Sequence, residues 1–160
     1  MKLLRRKRAA SVYSGRDATV YQRGSVVLVS ALARTVTGLL IETDPRSRFD
    51  EPVITNDLGL SVTAALAAFK LDMPHPDWKA DDLPNKPLQK LAGVRSWRAF
   101  VQGTRCIGVH QDPDGTVIIQ PYKNEGARQG FSPLDELEPF IAPTTDALGA
   151  HVLQGLNNAE

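Results

Sequence analysis

The residues of this chain best suited to chemistry are three histidines, His75, His110 and His151, one cysteine, Cys106, and two stretches rich in carboxylates. A metal-free nuclease needs a histidine and a second acid–base group within hydrogen-bond reach of one substrate proton. The best pair the sequence offers is His110 with Lys123 across the end of a hairpin, and no neighbouring residue type orients either one. The run from Asp112 through Asp114 to Gly115 begins like a calcium loop, but its twelfth position is Lys123 where a glutamate is required. A hairpin turn accounts for it better. Cys106 lies inside an apolar run, which favours a buried, inert thiol over a nucleophile. Neither a Walker lysine loop nor a G-x-G-x-x-G motif occurs. These residues assign no catalytic centre, metal site or cofactor, and the chain reads as a non-enzyme.

Charge suggests binding instead. The formal net charge is +1, from 19 Lys and Arg against 18 Asp and Glu, and five of the basic residues fall within the first eight positions. Without that tip the body carries a net −4. Residues 1–10 are therefore expected to form a basic, solvated N-terminal tail, with a nucleic-acid-binding arm as the competing reading. Two acidic stretches are candidate partner-binding surfaces. In the first, Glu42, Asp44, Asp50, Glu51 and Asp57 outnumber Arg46 and Arg48; in the second, Asp135, Glu136, Glu138 and Asp146 have no basic residue among them. Trp78, in a proline-rich connection, is a candidate interface anchor, whereas Trp97 reads as core.

The elements that must position these residues follow from periodicity. Length and a 42% apolar fraction suit one domain, expected over residues 11–160. The β-branched runs Ala18–Tyr21 and Ser25–Val29 flank a glycine turn, Thr37–Ile41 suggests a third strand, and Asp44–Asp57 reads as an exposed acidic loop. Leu58, Val62, Leu66 and Phe69 line one face of a helix over about Asp57–Lys70. Prolines 74, 76, 84 and 87 exclude long regular structure, and Ser96 caps a short helix carrying Trp97 and Phe100. Arg105–His110 and Thr116–Gln120 form a hairpin around Pro113-Asp114-Gly115. Leu148, Val152 and Leu156 mark a closing helix over Pro143–Leu156. The expected fold class is α+β, an antiparallel sheet with helices packed on one face. No apolar run approaches the ~18 residues of a membrane helix, and a lone cysteine fits a reducing compartment, so cytoplasmic residence is expected.

Several blocks in order carry a family resemblance: Pro74-His75-Pro76-Asp77-Trp78-Lys79, Leu91-Ala92-Gly93-Val94-Arg95-Ser96-Trp97, Arg105-Cys106-Ile107-Gly108-Val109, and Pro121-Tyr122-Lys123-Asn124-Glu125-Gly126 through Phe131. Together they resemble the immunity proteins of contact-dependent growth inhibition systems, the CdiI family, over roughly residues 18–156. The resemblance implies a protein that binds a cognate CdiA C-terminal toxin domain, a nuclease such as a tRNase, in a 1:1 complex without a reaction of its own. It implies no direct contact with nucleic acid or membrane, and supplies no interface residues. The alternative from composition is a small RNA-binding or RNA-processing protein using Lys86, Lys90, Arg95, Arg98 and Arg105.

Overall fold

The computed structural model describes residues 13–135 and 137–160; the basic tip and Glu136 lie outside them. Among the described residues the order is β1 (Arg16–Arg23), β2 (Val26–Thr35), β3 (Leu40–Asp50), α1 (Thr55–Ala67), β4 (Lys70–Met73), α2 (Lys86–Leu91), α3 (Trp97–Val101), β5 (Thr104–Gln111), β6 (Val117–Asn124), β7 (Phe131–Pro133), β8 (Glu138–Phe140) and α4 (Thr145–Asn158). The sheet runs β3-β2-β1-β5-β6-β7; β8 joins the same edge of β6 nearer its start, and β4 joins β2. All pairings are antiparallel except that of β4 with β2. The α+β single-domain expectation therefore holds.

Period-two alternation builds the main core. Val20, Val27, Val29, Ile107, Val109 and Ile119 point to one face, where Leu58, Val62 and Leu66 of α1 and Leu148, Val152 and Leu156 of α4 cover them. The two long helices thus lie on one face, as expected. The short helices α2 and α3 add a second, smaller layer on the opposite face, closing Leu88, Phe100 and Val101 over Tyr21, Leu28 and Cys106. Arginines from the sheet hold this layer: Arg46 donates to the Pro84 carbonyl, Arg48 to that of Leu91 and Arg23 to that of Ala99.

The local signals around α3 and the hairpin behave as read. Ser96 Oγ accepts from the Ala99 N–H at 3.1 Å, capping α3. In the hairpin, Gly115 has φ +91° and its N–H reaches the Asp112 carbonyl at 2.9 Å, while Asp114 accepts from the Thr116 N–H.

Two expected elements shift, since the third strand begins only at Leu40 and α1 ends at Ala67 with Phe69 beyond it and Lys70 opening β4, and one segment departs altogether. Asp44–Asp57 is not a loop: β3 runs to Asp50, and only the residues from 51 to 54 connect it to α1. Pairing passes from Ser30↔Arg46 to Ala31↔Thr43, so Asp44 and Pro45 are extruded as a bulge. Proline has no N–H for the ladder, and a bulge is where a strand tolerates it before resuming. The strand resumes with Arg46 and Arg48 facing the α2 layer and Phe49 packing against the main core.

Candidate functional site

The His110–Lys123 pair does not form. In the β5–β6 ladder His110 lies opposite Ile118, leaving Lys123 five positions further on and pointing to the other face. His110 is nevertheless oriented, by residues distant in sequence. β1 pairs with β5 so that Asp17 lies opposite His110, and His110 Nδ1 is 2.7 Å from Asp17 Oδ1. His110 Nε2 is 3.2 Å from Asp112 Oδ1 at the hairpin turn. Tyr13 donates its hydroxyl to Asp17 and lies under the Arg34 guanidinium, 4.3 Å from the ring centroid. Burial first, then the Asp17 carboxylate, pushes the Tyr13 phenol well above its ordinary range. With Asp17 buried and both imidazole nitrogens engaged, the arrangement ties β1 to the β5–β6 turn rather than presenting a free base.

Cys106 is buried in the smaller core, and burial together with the Glu42 carboxylate raises its thiol well above the ordinary range. A thiol held in that state is a poor nucleophile. Glu42, a member of the first acidic stretch, points inward and accepts from Tyr21 Oη at 2.6 Å.

The remaining acidic candidates are dispersed. Asp44 pairs with Arg46 at 2.6 Å and Asp50 with Arg48 at 2.9 Å, the latter contact holding the Asp50 carboxyl below its usual range. Glu51 is exposed in the connection after β3, and Asp57 is exposed on the first turn of α1. Asp146 accepts from Thr55 Oγ1 where the two long helices begin side by side, so it serves the helix pair. Glu136 lies outside the described residues.

Asp135 and Glu138 are brought together. The Leu134 N–H donates to the Pro121 carbonyl and Gln120 Nε2 donates to the Leu134 carbonyl, fixing the link between β7 and β8 along the edge of β6. The end of α4 closes against the same strand: the Glu160 N–H donates to Tyr122 O at 3.1 Å, and Asn124 N–H donates to Glu160 O at 2.7 Å. Between them opens a cavity of about 500 Å³ lined by Ile119, Pro121, Leu134, Asp135, Glu138, Phe140, His151, Gln154, Gly155, Asn158 and Glu160. Phe140 and His151 stack with centroids 4.2 Å apart and planes 24° apart. The sequence singles out the two acids and offers His151 only as a lone histidine; Phe140 and Glu160 go unmarked, because a three-residue strand and a helix face meet here without local periodicity to announce it.

Trp78 is 54% exposed, and its ring meets His75 edge-on at 6.2 Å; His75 Nδ1 in turn lies 2.7 Å from Thr37 Oγ1. Trp97 is half-buried and stacked on Phe100 at 5.3 Å, as core. Of the basic residues named for RNA binding, Lys86, Lys90 and Arg95 line one open cavity beside α2, with Asp82 the sole acid in its wall among the described residues. Among the described residues no group of three or more His, Cys, Asp or Glu side chains could hold a metal ion, and no helix is long and apolar enough to cross a membrane.

No family model and no curated protein matches the chain. Solved structures do share its fold, two of them over nearly the whole chain. One is a protein of unknown function from Neisseria meningitidis, 13% identical with a TM-score of 0.72, the match covering 91% of this chain and 96% of that one. The other is a chain of the CdiA-CT/CdiI toxin and immunity complex from Yersinia pseudotuberculosis, 15% identical with a TM-score of 0.71, covering 92% of this chain and 99% of that one.

Proposed function

We propose that this chain is an immunity protein that binds and neutralises a cognate CdiA C-terminal toxin domain in the cytoplasm, without catalysis of its own. The observation that carries the reading is the fold shared, nearly end to end, with a chain of a toxin and immunity complex. The sequence blocks that resemble CdiI proteins point the same way, and they favour the immunity partner over the toxin. His110 and Cys106 support a binding role, since the first is engaged on both nitrogens and the second is buried with its thiol protonated. A nuclease toxin such as a tRNase, bound 1:1, suits a partner body of net −4, because a surface that grips RNA is basic.

Co-expression with the toxin domain is the test. The chain should copurify with it at 1:1, with Kd about 10⁻⁸ M or tighter, and should restore growth to cells making the toxin. Failure of both would sink the reading. A second reading, RNA binding, draws on the cavity lined by Lys86, Lys90 and Arg95. It requires purified chain to bind RNA with a steep salt dependence, whereas the immunity reading expects no such binding.

A further inference from the structure

We infer that the cleft between α4 and the β6–β8 edge is the grip on the protein partner, and that it receives an arginine side chain. The inference rests on the immunity reading for the identity of the partner; the chemistry of the cleft stands on its own residues. Ile119, Leu134 and Phe140 supply apolar wall, and Asp135, Glu138 and Glu160 are exposed carboxylates around it. Among the described residues no lysine or arginine lines the cavity, and no cation lies within ion-pair distance of those three acids. Some acids elsewhere have a partner within the chain, Asp44 with Arg46, Asp50 with Arg48, and Asp17 and Asp112 with His110; what sets this place apart is that three open carboxylates share one partly apolar cavity. Carboxylates around a partly apolar cavity focus negative potential into it, which favours an arriving cation.

The aromatic surface selects which cation. Phe140 and His151 lie nearly parallel at 4.2 Å, presenting flat aromatic surface beside the acids. A guanidinium is planar, weakly hydrated, stacks on aromatic faces and pairs bidentately with carboxylates, whereas an ammonium is a compact, strongly hydrated point charge. The three methylenes of arginine can lie along the apolar wall while the head reaches Asp135 or Glu138. The apolar floor is itself fixed, because a Cβ on Gly155 would meet Ile119 Cγ2 at 2.7 Å.

A ¹⁵N NMR titration of the full chain with N-acetyl-arginine-methylamide tests the cleft without any toxin. Millimolar additions should shift the resonances of Phe140, His151 and Gln154, and the response should vanish in the isosteric variant Asp135→Asn/Glu138→Gln. The neutral citrulline analogue should give no response, and the lysine analogue a response several-fold weaker. An equal response to citrulline or lysine, an unaffected variant, or no response to arginine overturns the inference. Thermal melting of the variant at the wild-type temperature establishes that folding is retained. With the toxin domain, the same variant should bind at least tenfold more weakly; unchanged affinity overturns the grip while leaving immunity standing. A chain that binds no toxin domain but still takes arginine in this cleft sinks the immunity reading instead.

Discussion

Gly59 of α1 and Gly149 of α4 face one another's helix starts: a Cβ on Gly59 would lie 1.7 Å from the Thr145 carbonyl oxygen, and a Cβ on Gly149 would lie 1.9 Å from that of Thr55. The same four-residue offset recurs in both helices, and Thr145 Oγ1 completes the pairing with Asn56 Oδ1 at 2.6 Å. Backbone cannot swing aside as a side-chain tip can, so either glycine replaced by alanine must push the helices apart. The helix-propensity gain of about 1 kcal/mol opposes a loss of packing over the main core. We expect Gly59→Ala or Gly149→Ala to destabilise by about 2 kcal/mol or more, read from urea unfolding. Because the first separation makes room for the second, the double variant should cost less than the sum of the two singles. Additive losses would show that the two glycines relieve separate contacts.

Alkaline pH should destabilise the fold through the smaller core. Burial raises the Tyr21 phenol and the Cys106 thiol well above their ordinary ranges, and raises Tyr122 as well. Their folded pKa values exceed the unfolded ones, so above the unfolded values the native state holds more protons than the unfolded state. The stability they contribute is complete below about pH 8.5, where an unfolded cysteine begins to ionise, and declines more steeply past about pH 10 as unfolded tyrosines join. Urea unfolding across that window should show the decline, and Cys106→Ala should remove its first part. A flat profile from neutral pH to that limit would contradict the assignment. The same burial predicts that native Cys106 resists thiol reagents until the protein unfolds.

His110 should matter for stability rather than turnover. Replacing it by alanine leaves the buried Asp17 with only the Tyr13 hydroxyl, and a buried carboxylate short of a partner costs about 1–3 kcal/mol. We expect His110→Ala to lower the melting temperature, and wild-type chain freed of contaminating nucleases to cleave neither RNA nor DNA. Cleavage that persists through purification and disappears in His110→Ala would reverse the functional reading.

What could be read from sequence follows the range of the interaction that decides it. The β5–β6 hairpin, the Ser96 cap and the buried stripe of Leu148, Val152 and Leu156 are local patterns, and each stands where periodicity put it. Only the start of β3 was legible, at Leu40 and Ile41; the rest was hidden because Pro45 looks like a strand breaker, and only the partner strand reveals that a bulge absorbs it. Asp17 and His110 are 93 residues apart, and their contact depends on the register of β1 on β5, which no local pattern encodes. The cleft was half visible: Asp135 and Glu138 stood out by charge, but Phe140 and His151 meet only once β8 and α4 have docked. Charge counting also could not distinguish acids already paired, such as Asp44 and Asp50, from acids left open.

That distinction yields the last prediction, on how the toxin domain is captured. If open carboxylates draw in a basic surface, association should slow as salt rises, since exposed charges are screened over about 10 Å at 0.1 M salt. Reversing Asp135 and Glu138 to lysine should slow association by about tenfold or more and flatten the salt dependence, because long-range steering acts mainly on the on-rate. Reversing Asp44, Asp50 and Glu51 should do less: Arg46 and Arg48 already offset the first two, so the surface there presents little net field. Stopped-flow association at two salt concentrations, with both sets of variants, separates the surfaces. A larger effect from the Asp44 set would move the interface to the edge of the sheet along β3. Salt-independent association, unchanged in both sets, would turn attention to the exposed indole of Trp78, whose replacement by alanine should then accelerate dissociation.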